Sequence, residues 1–309
     1  MCAIARRTTK TAAALLGLAL AASGGSAAGG TGDAFAPVGT AQPFLPGVVS
    51  TAYSEVRVAI GPDGRTVLWG STDRPGGPGG WDIWMVRRAD DGAWSAPQPV
   101  PFDTPHKEFD PSFAPDGRSV WFFSNRPGGF GGDDVWHVAF DARSGRFGAA
   151  ENAGAGVNSA GDEWAPAIGD DGRLLFASDG RGGRGRHDLF VSTFHDGAWQ
   201  PAQPLPGEVN SADDEFDAVL LEHGRVLVYA HSVDVENATI ELWSSLRDAD
   251  GAYRRPAKLD ARINAQDGFA LGPSPDPARA GVLLFSGRRP EANLGKSDIY
   301  AIRYRRPSR

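Results

Sequence analysis

The sequence predicts an all-β protein, a single β-propeller of five four-stranded blades closed by an N-terminal strand that completes the last blade. Three observations carry this prediction. Gly and Pro supply 41 and 23 of the 309 residues, about a fifth, where a typical chain has nearer 12%. Aromatic residues are plentiful all the same, with nine Trp and sixteen Phe, an apolar load that a disordered chain lacks. Two compound patterns also recur along the chain at an even period. Many turns, many aromatics and a repeat of this length describe short strands stacked as blades.

The first pattern is the turn Pro62-Asp63-Gly64-Arg65, which returns as Pro115-Asp116-Gly117-Arg118, Asp170-Asp171-Gly172-Arg173 and His223-Gly224-Arg225. The second is an acid, an aliphatic and an aromatic: Asp82-Ile83-Trp84, Asp134-Val135-Trp136, Asp188-Leu189-Phe190, Glu241-Leu242-Trp243 and Asp298-Ile299-Tyr300. These five acids are 52, 54, 53 and 57 residues apart. Each unit parses into four strands. The first is represented by Glu108–Phe113, which alternates polar and apolar. An Asp-Gly turn leads to the second, Val120–Ser124. A Gly-rich connection (127–132) leads to the third, Asp134–Val138. The fourth is marked by an aromatic near a Pro: Trp94 with Pro97, Trp199 with Pro201, Tyr253 with Pro256. Pro belongs on an edge strand, where no neighbour needs its missing N–H.

Phe109, Trp164, Phe216 and Phe269 hold corresponding places in the first strand and are expected to pack between blades, each contributing roughly 1.5–3 kcal/mol on burial. The blade units are 53–100, 107–150, 161–205, 213–259 and 267–304. The last lacks a fourth strand, and residues 33–37 match its marker, so the N-terminal segment is expected to close the ring. The propeller domain spans 29–309.

Residues 1–28 read as an export signal that is removed. Arg6, Arg7 and Lys10 precede a short Ala/Leu stretch and small residues suited to cleavage. That stretch is too short to span a bilayer, so the expectation is export to the periplasm or the exterior without a transmembrane anchor. The net charge of −7 becomes about −10 once these three cations are removed. The acidic balance argues against a nucleic-acid partner. Cys2 is the only cysteine, which excludes disulfides, thiolate catalysis and Cys-based zinc sites from the mature chain.

The run from Glu108 to Gly117, continued by Ser124-Asn125-Arg126-Pro127-Gly128-Gly129 and repeated in Glu163, Pro166, Asp171-Gly172 and Ser178-Asp179, resembles the TolB-like, WD40-like β-propeller repeat of exported bacterial proteins. The resemblance covers nearly all of the mature chain. It implies the fold and an envelope setting, and little about function, because this repeat serves many contexts. TolB itself is typically six-bladed with an additional N-terminal domain, neither of which is visible here. Blade five also carries Gly268 where the others carry Glu.

The candidate ligand-binding residues are a ring of charged groups on the innermost strands: Glu55, Glu108, Glu163 and Glu215, and two residues further on Arg57, Asp110 and Asp217. Converging near the axis, two carboxylates about 4 Å apart would repel by roughly 4 kcal/mol at an effective dielectric of 20. Such a ring calls for Arg57, a cation or raised pKa values. The competing reading, favoured by identical placement in four blades, is that each Glu makes the same local hydrogen bond in its own blade. The acids Asp82, Asp134, Asp188 and Asp298 are expected to pair with Arg74, Arg126, Arg181 and Arg288 within each blade. Gly180, Gly182 and Gly185 match G-x-G-x-x-G, but between two strands rather than strand and helix, which discounts a nucleotide site. Arg181, Arg184 and Arg186 make that loop basic, and a solvated loop is the favoured reading. The Asp213-Asp214-Glu215 run is the one place that points to calcium, without the spacing of a known loop. No cofactor or metal is otherwise expected, and no catalytic residue is assigned: G-x-S-x-G, H-E-x-x-H and Walker motifs are missing.

The leading expectation is therefore a monomeric, exported, non-enzymatic propeller that binds a protein or cell-envelope ligand. The alternatives are a glycoside-type hydrolase using channel carboxylates, and metal-dependent binding or lactone hydrolysis.

Overall fold

A computed structural model describes residues 35–307 of the chain. The predicted export segment, 1–28, and residues 33 and 34 of the predicted closing strand lie outside the described residues. Among the described residues every regular element is a strand.

Five four-stranded antiparallel sheets form the blades. Blade one is Glu55–Ile60, Thr66–Ser71, Asp82–Arg87 and Gln98–Pro99. Blade two is Glu108–Phe113, Ser119–Ser124, Asp134–Asp141 and Arg146–Asn152. Blade three is Glu163–Ile168, Leu174–Ser178, Asp188–Ser192 and Gln203–Pro204. Blade four is Asp214–Leu221, Val226–Ser232, Glu241–Arg247 and Tyr253–Lys258. Blade five is Phe269–Pro275, Val282–Arg288 and Asp298–Arg305, and its outer strand is Ala36–Pro43. That N-terminal strand pairs antiparallel with the last strand, Ala36 opposite Arg305 and Pro43 opposite Tyr300. The first and last described strands thus share one sheet, and the ring is closed by backbone hydrogen bonds.

The fourth-strand markers behave differently from blade to blade. In blade four, Tyr253 and Pro256 lie within the outer strand. In blade three, Phe194–His195 and Ala198–Trp199 fold into a separate hairpin, and in blade one Trp94 bridges back to Arg88. The paired outer strand begins only after Pro97 or Pro201, since neither proline can donate to a ladder.

Buried apolar side chains collect between neighbouring blades. Leu68, Met85, Phe122 and Phe140 fill the space between blades one and two; Trp121, Val135, Leu174 and Phe176 that between two and three. The aromatics of the innermost strands lie against the second strand of the preceding blade. Phe109 packs so closely over Gly70 that a Cβ there would sit 2.6 Å from the ring. Phe123 and Trp164 continue the pattern with ring centroids 6.4 Å apart.

Blade five departs from the expected alignment by two residues. Cross-strand pairing aligns Glu55–Ser71, Glu108–Ser124, Glu163–Ser178 and Glu215–His231 with Ala270–Gly287. The residue in the Glu position is therefore Ala270, not Gly268, and Leu271, not Phe269, takes the aromatic position.

Every innermost strand carries a β-bulge just after that position, visible as a register shift in all five blades. The first bulge residue is left-handed each time: Arg57 (φ 42°), Asp110 (52°), Ala165 (52°), Asp217 (48°) and Gly272 (56°). Four of the five are not glycine, although such a conformation costs a residue with a Cβ of order 1 kcal/mol. Recurrence in every blade marks the bulge as the means by which each strand bends around the axis.

Candidate functional site

The seven charged candidates divide into two groups. Glu55, Glu108, Glu163 and Glu215 are each 0% exposed, and each turns back to the loop before its own strand. One carboxylate oxygen accepts the backbone N–H of the residue four earlier and the other its hydroxyl: Thr51 (3.1 and 2.5 Å), Thr104 (2.7 and 2.7 Å), Ser159 (2.8 and 2.5 Å) and Ser211 (2.8 and 2.5 Å). Ser124 and Ser178 donate to Glu108 and Glu163 from the second strand. Arg74 and Arg126 lie 3.5 and 2.9 Å from Glu55 and Glu108. Burial pushes Glu55 and Glu215 up to about 7, against the pull of these hydrogen bonds. These four side chains are local clips. In blade five, Gln266 and Ala270 replace both members of the pair.

Arg57, Asp110 and Asp217 are brought together at the axis, carried there by the bulges. Arg57 Nη1 lies 3.7 Å from Asp217 Oδ1, with both side chains almost fully buried. Asp217 also accepts the backbone N–H of Gly272 at 2.8 Å. Asp110 and Asp217 share a hydrogen bond, and burial together with the Asp217 charge holds the Asp110 carboxyl well above the usual carboxylate range. Burial raises the Asp217 carboxyl as well, against the pull of Arg57 and the Gly272 N–H. Arg57 Nη2 donates to Ala165 O at 3.4 Å, while Nη1 and Asp110 Oδ1 lack hydrogen-bond partners.

Arg57 floors a funnel of about 420 Å³ that opens among the turns following the innermost strands. Its wall is a ring of equivalent residues, one per blade: Ile60, Phe113, Ile168, Leu220 and Pro275. Glu222 stands at the mouth, accepting from the Tyr304 hydroxyl at 2.7 Å and paired with Arg306 at 3.0 Å. An apolar wall with a few fixed polar groups is the composition of a ligand pocket. Sequence reading missed the wall, because these positions look like ordinary strand ends; the period-53 alignment is the signal that could have found them.

The expected Asp–Arg pairs do not form. Asp82, Asp134, Asp188 and Asp298 instead accept backbone N–H groups from the Gly-rich connection: Gly79 and Gly80, Phe130, Arg184 and Gly185, Leu294 and Gly295. The connection needs glycine three residues before the Asp, where a Cβ on Gly79, Gly131, Gly185 or Gly295 would lie within 2.5 Å of the backbone of a neighbouring loop. Arg74 and Arg126 pair with Glu as above, and Arg181 donates to Val157 O and Asn158 O. Arg289, not Arg288, is the inward arginine of blade five, donating to Arg262 O and Ile263 O. In the other two members of the basic loop, Arg184 donates to Asn210 O and Arg186 pairs with Glu236.

Asp213 faces His231, Asp214 faces His187, and Glu215 accepts from Ser211 with His231 3.9 Å away. Among the described residues, no three or more His, Cys, Asp or Glu side chains gather to hold a metal.

One further set escaped sequence reading. One residue of the loop before each innermost strand, directly ahead of the clip Thr or Ser in blades one to four, reaches back to the third strand of the preceding blade. Asn158, Asn210 and Asn264 each donate to and accept from one peptide, at Val135, Leu189 and Leu242. Ser50 does the same to Ile299, and Asp103 faces Ile83. Adjacent residues therefore tie one loop to both of its blades.

No family model matches the chain, and no curated protein matches it in sequence. Among solved structures, it is similar to the α-L-arabinofuranosidase of Podospora anserina, with 12% identity over 90% of this chain and 98% of that one and a TM-score of 0.52. It is also similar to the hydrazine synthase of Kuenenia stuttgartiensis (16% identity, 80% of this chain, TM-score 0.52) and to TolB of Acinetobacter baumannii (14%, 82% of this chain, TM-score 0.46). The chain spans 37% of that hydrazine synthase chain and 57% of that TolB chain. No helix among the described residues is long and apolar enough to cross a membrane. At these identities the likeness is one of architecture: the chain has a five-bladed β-propeller fold.

Proposed function

We propose that this protein is an exported, non-enzymatic binding propeller that takes a protein or cell-envelope ligand into the funnel on its turn-bearing face. One observation carries the reading. The funnel is lined by five apolar side chains over a charged floor, whereas the ring glutamates that would serve catalysis are sealed at 0% exposure in clips. The signal-like residues 1–28 support export, and the reading invokes no cofactor and no partner copy.

The hydrolase reading has less support. Glycoside cleavage needs two carboxyl groups about 5–9.5 Å apart flanking the bond. Here Asp110 and Asp217 are hydrogen-bonded to each other and neutralised by Arg57. The fold shared with an arabinofuranosidase is architecture alone.

The test is affinity capture from cell-envelope extract, using the mature protein and the funnel variants Ile60→Arg and Leu220→Arg, with folding checked by circular dichroism. A ligand enriched by the wild type over an unrelated propeller and lost from both variants is the expected result. Equal enrichment by all three, or none, would remove the support for the funnel.

A further inference from the structure

Aligning the blades exposes one row that breaks the repeat. Across strands two, three and four, the side chains facing the next blade are Leu68, Met85 and Gln98 in blade one, and Leu175, Val191 and Gln203 in blade three. Blade four has Val228, Ser244 and Ala257, and blade five Leu284, Ala301 and Gln42. In blade two alone the row reads Trp121, His137 and Glu151.

The space beside this row differs too. Between blades one and two, Phe140 is 5% exposed and packs on Phe147 and Phe113. Its counterpart beside blade two is Phe194, on the extra hairpin of blade three, and it is 57% exposed. A cleft of about 1130 Å³ results. Trp121 lies tilted against His137 at 4.6 Å and meets Trp199 edge-on at 5.4 Å, and Phe194 stands 5.3 Å from Trp199. Glu151 is exposed on the rim. Asn152 Nδ2 lies in the wall without a hydrogen-bond partner, while its Oδ1 accepts from Gly154 and Asn158. Burial holds the His137 imidazole below its ordinary value, so near neutral pH it offers one donor and one acceptor.

The geometry points to a saccharide site in this cleft, with the sugar's apolar C–H faces on Trp199 and Phe194, backed by the buried Trp121, and its hydroxyls met by Glu151 and His137. Aromatic faces set beside planar acceptors and donors match a ring that is apolar on its faces and hydroxylated around its edge. The volume exceeds what a drug-sized ligand fills, which suits several linked sugar units better than a single cation. The cleft adjoins the funnel at Ile168 and Asp170, but the inference rests on the blade-two row and not on the funnel.

The test is intrinsic tryptophan fluorescence of the mature protein titrated with cello-, chito-, arabino- and galacto-oligosaccharides, and with tetramethylammonium chloride. Phe194→Ala removes an exposed ring, and Glu151→Gln installs the residue of blades one, three and five, so both variants keep the fold. The expected result is a saturable emission change with at least one oligosaccharide, weakened about tenfold in each variant and unchanged in Ile60→Arg. Three results would overturn the inference: no response to any saccharide, a response indifferent to both variants, or binding of tetramethylammonium that Glu151→Gln abolishes. Loss of envelope-ligand capture in Ile60→Arg with saccharide binding intact would separate the funnel's role from this one.

Discussion

Asp103 offers a prediction that follows from the repeat itself. Its equivalents Asn158, Asn210 and Asn264 each hold a peptide of the preceding blade with one donor and one acceptor. A carboxylate can only accept. Asp103 turns its buried carboxyl to the Ile83 peptide N–H, without a well-formed hydrogen bond to either oxygen. Burial, reinforced by the Glu108 and Asp82 charges, pushes its carboxyl up to about 9 from 3.8. The folded state then holds a proton that the unfolded state releases above pH 4. Stability therefore falls as pH rises from about 4 to about 9. Neutral pH lies about three units above the ordinary value of the group and below its folded value, so at about 1.36 kcal/mol per unit the ceiling on this cost at pH 7 is about 4 kcal/mol.

Asp103→Asn supplies the missing donor without titrating. Urea unfolding of wild type and variant at pH 4.5, 7 and 8.5 should show little difference at the lowest pH. The gain should grow with pH, to about 1–4 kcal/mol at neutrality. A pH-independent difference, or a variant less stable at every pH, would refute the reasoning.

Three other outcomes follow from the same geometry. Ala165→Gly relieves a left-handed alanine (φ 52°) and should stabilise the fold by about 1 kcal/mol in urea unfolding, as Gly272 does in the equivalent place. Gly70→Ala drives a methyl into the Phe109 ring at 2.6 Å and should lower stability by about 1–3 kcal/mol, read as a lower thermal midpoint. Arg57→Ala strips the counter-charge from buried Asp217; the loss should be about 3–5 kcal/mol near neutral pH and shrink as pH falls and Asp217 takes up a proton.

The blade count, the closing strand and the four Glu positions were legible because they depend on a pattern repeated along the chain. The period also foretold that the glutamates act locally. What stayed hidden had physical causes. The partners of Asp82, Asp134, Asp188 and Asp298 are backbone N–H groups, which leave no residue signature, so the nearby arginines looked like partners. The loop before blade five makes the inner strand start two residues out of step, and Phe269 seemed to align with Phe216 when Leu271 does. The inter-blade clip is made by Ser50, Asp103 and three asparagines, residue types too dissimilar to read as one position until the Ile299, Ile83 and Val135 peptides they meet are known. The Trp121–His137–Glu151 row became visible only once strand register placed the three residues side by side.

On the proposed reading, ligand binds the face bearing the strand-one turns, and the ring glutamates serve structure at the other end of those strands. Hydrogen–deuterium exchange of the mature protein with and without its captured ligand tests this directly. The expected result is new protection in residues 58–62, 111–115, 166–170, 218–223 and 273–277, with no change in 50–55, 103–108, 158–163 and 210–215. Protection confined to the second group, around Glu55, Glu108, Glu163 and Glu215, would contradict it.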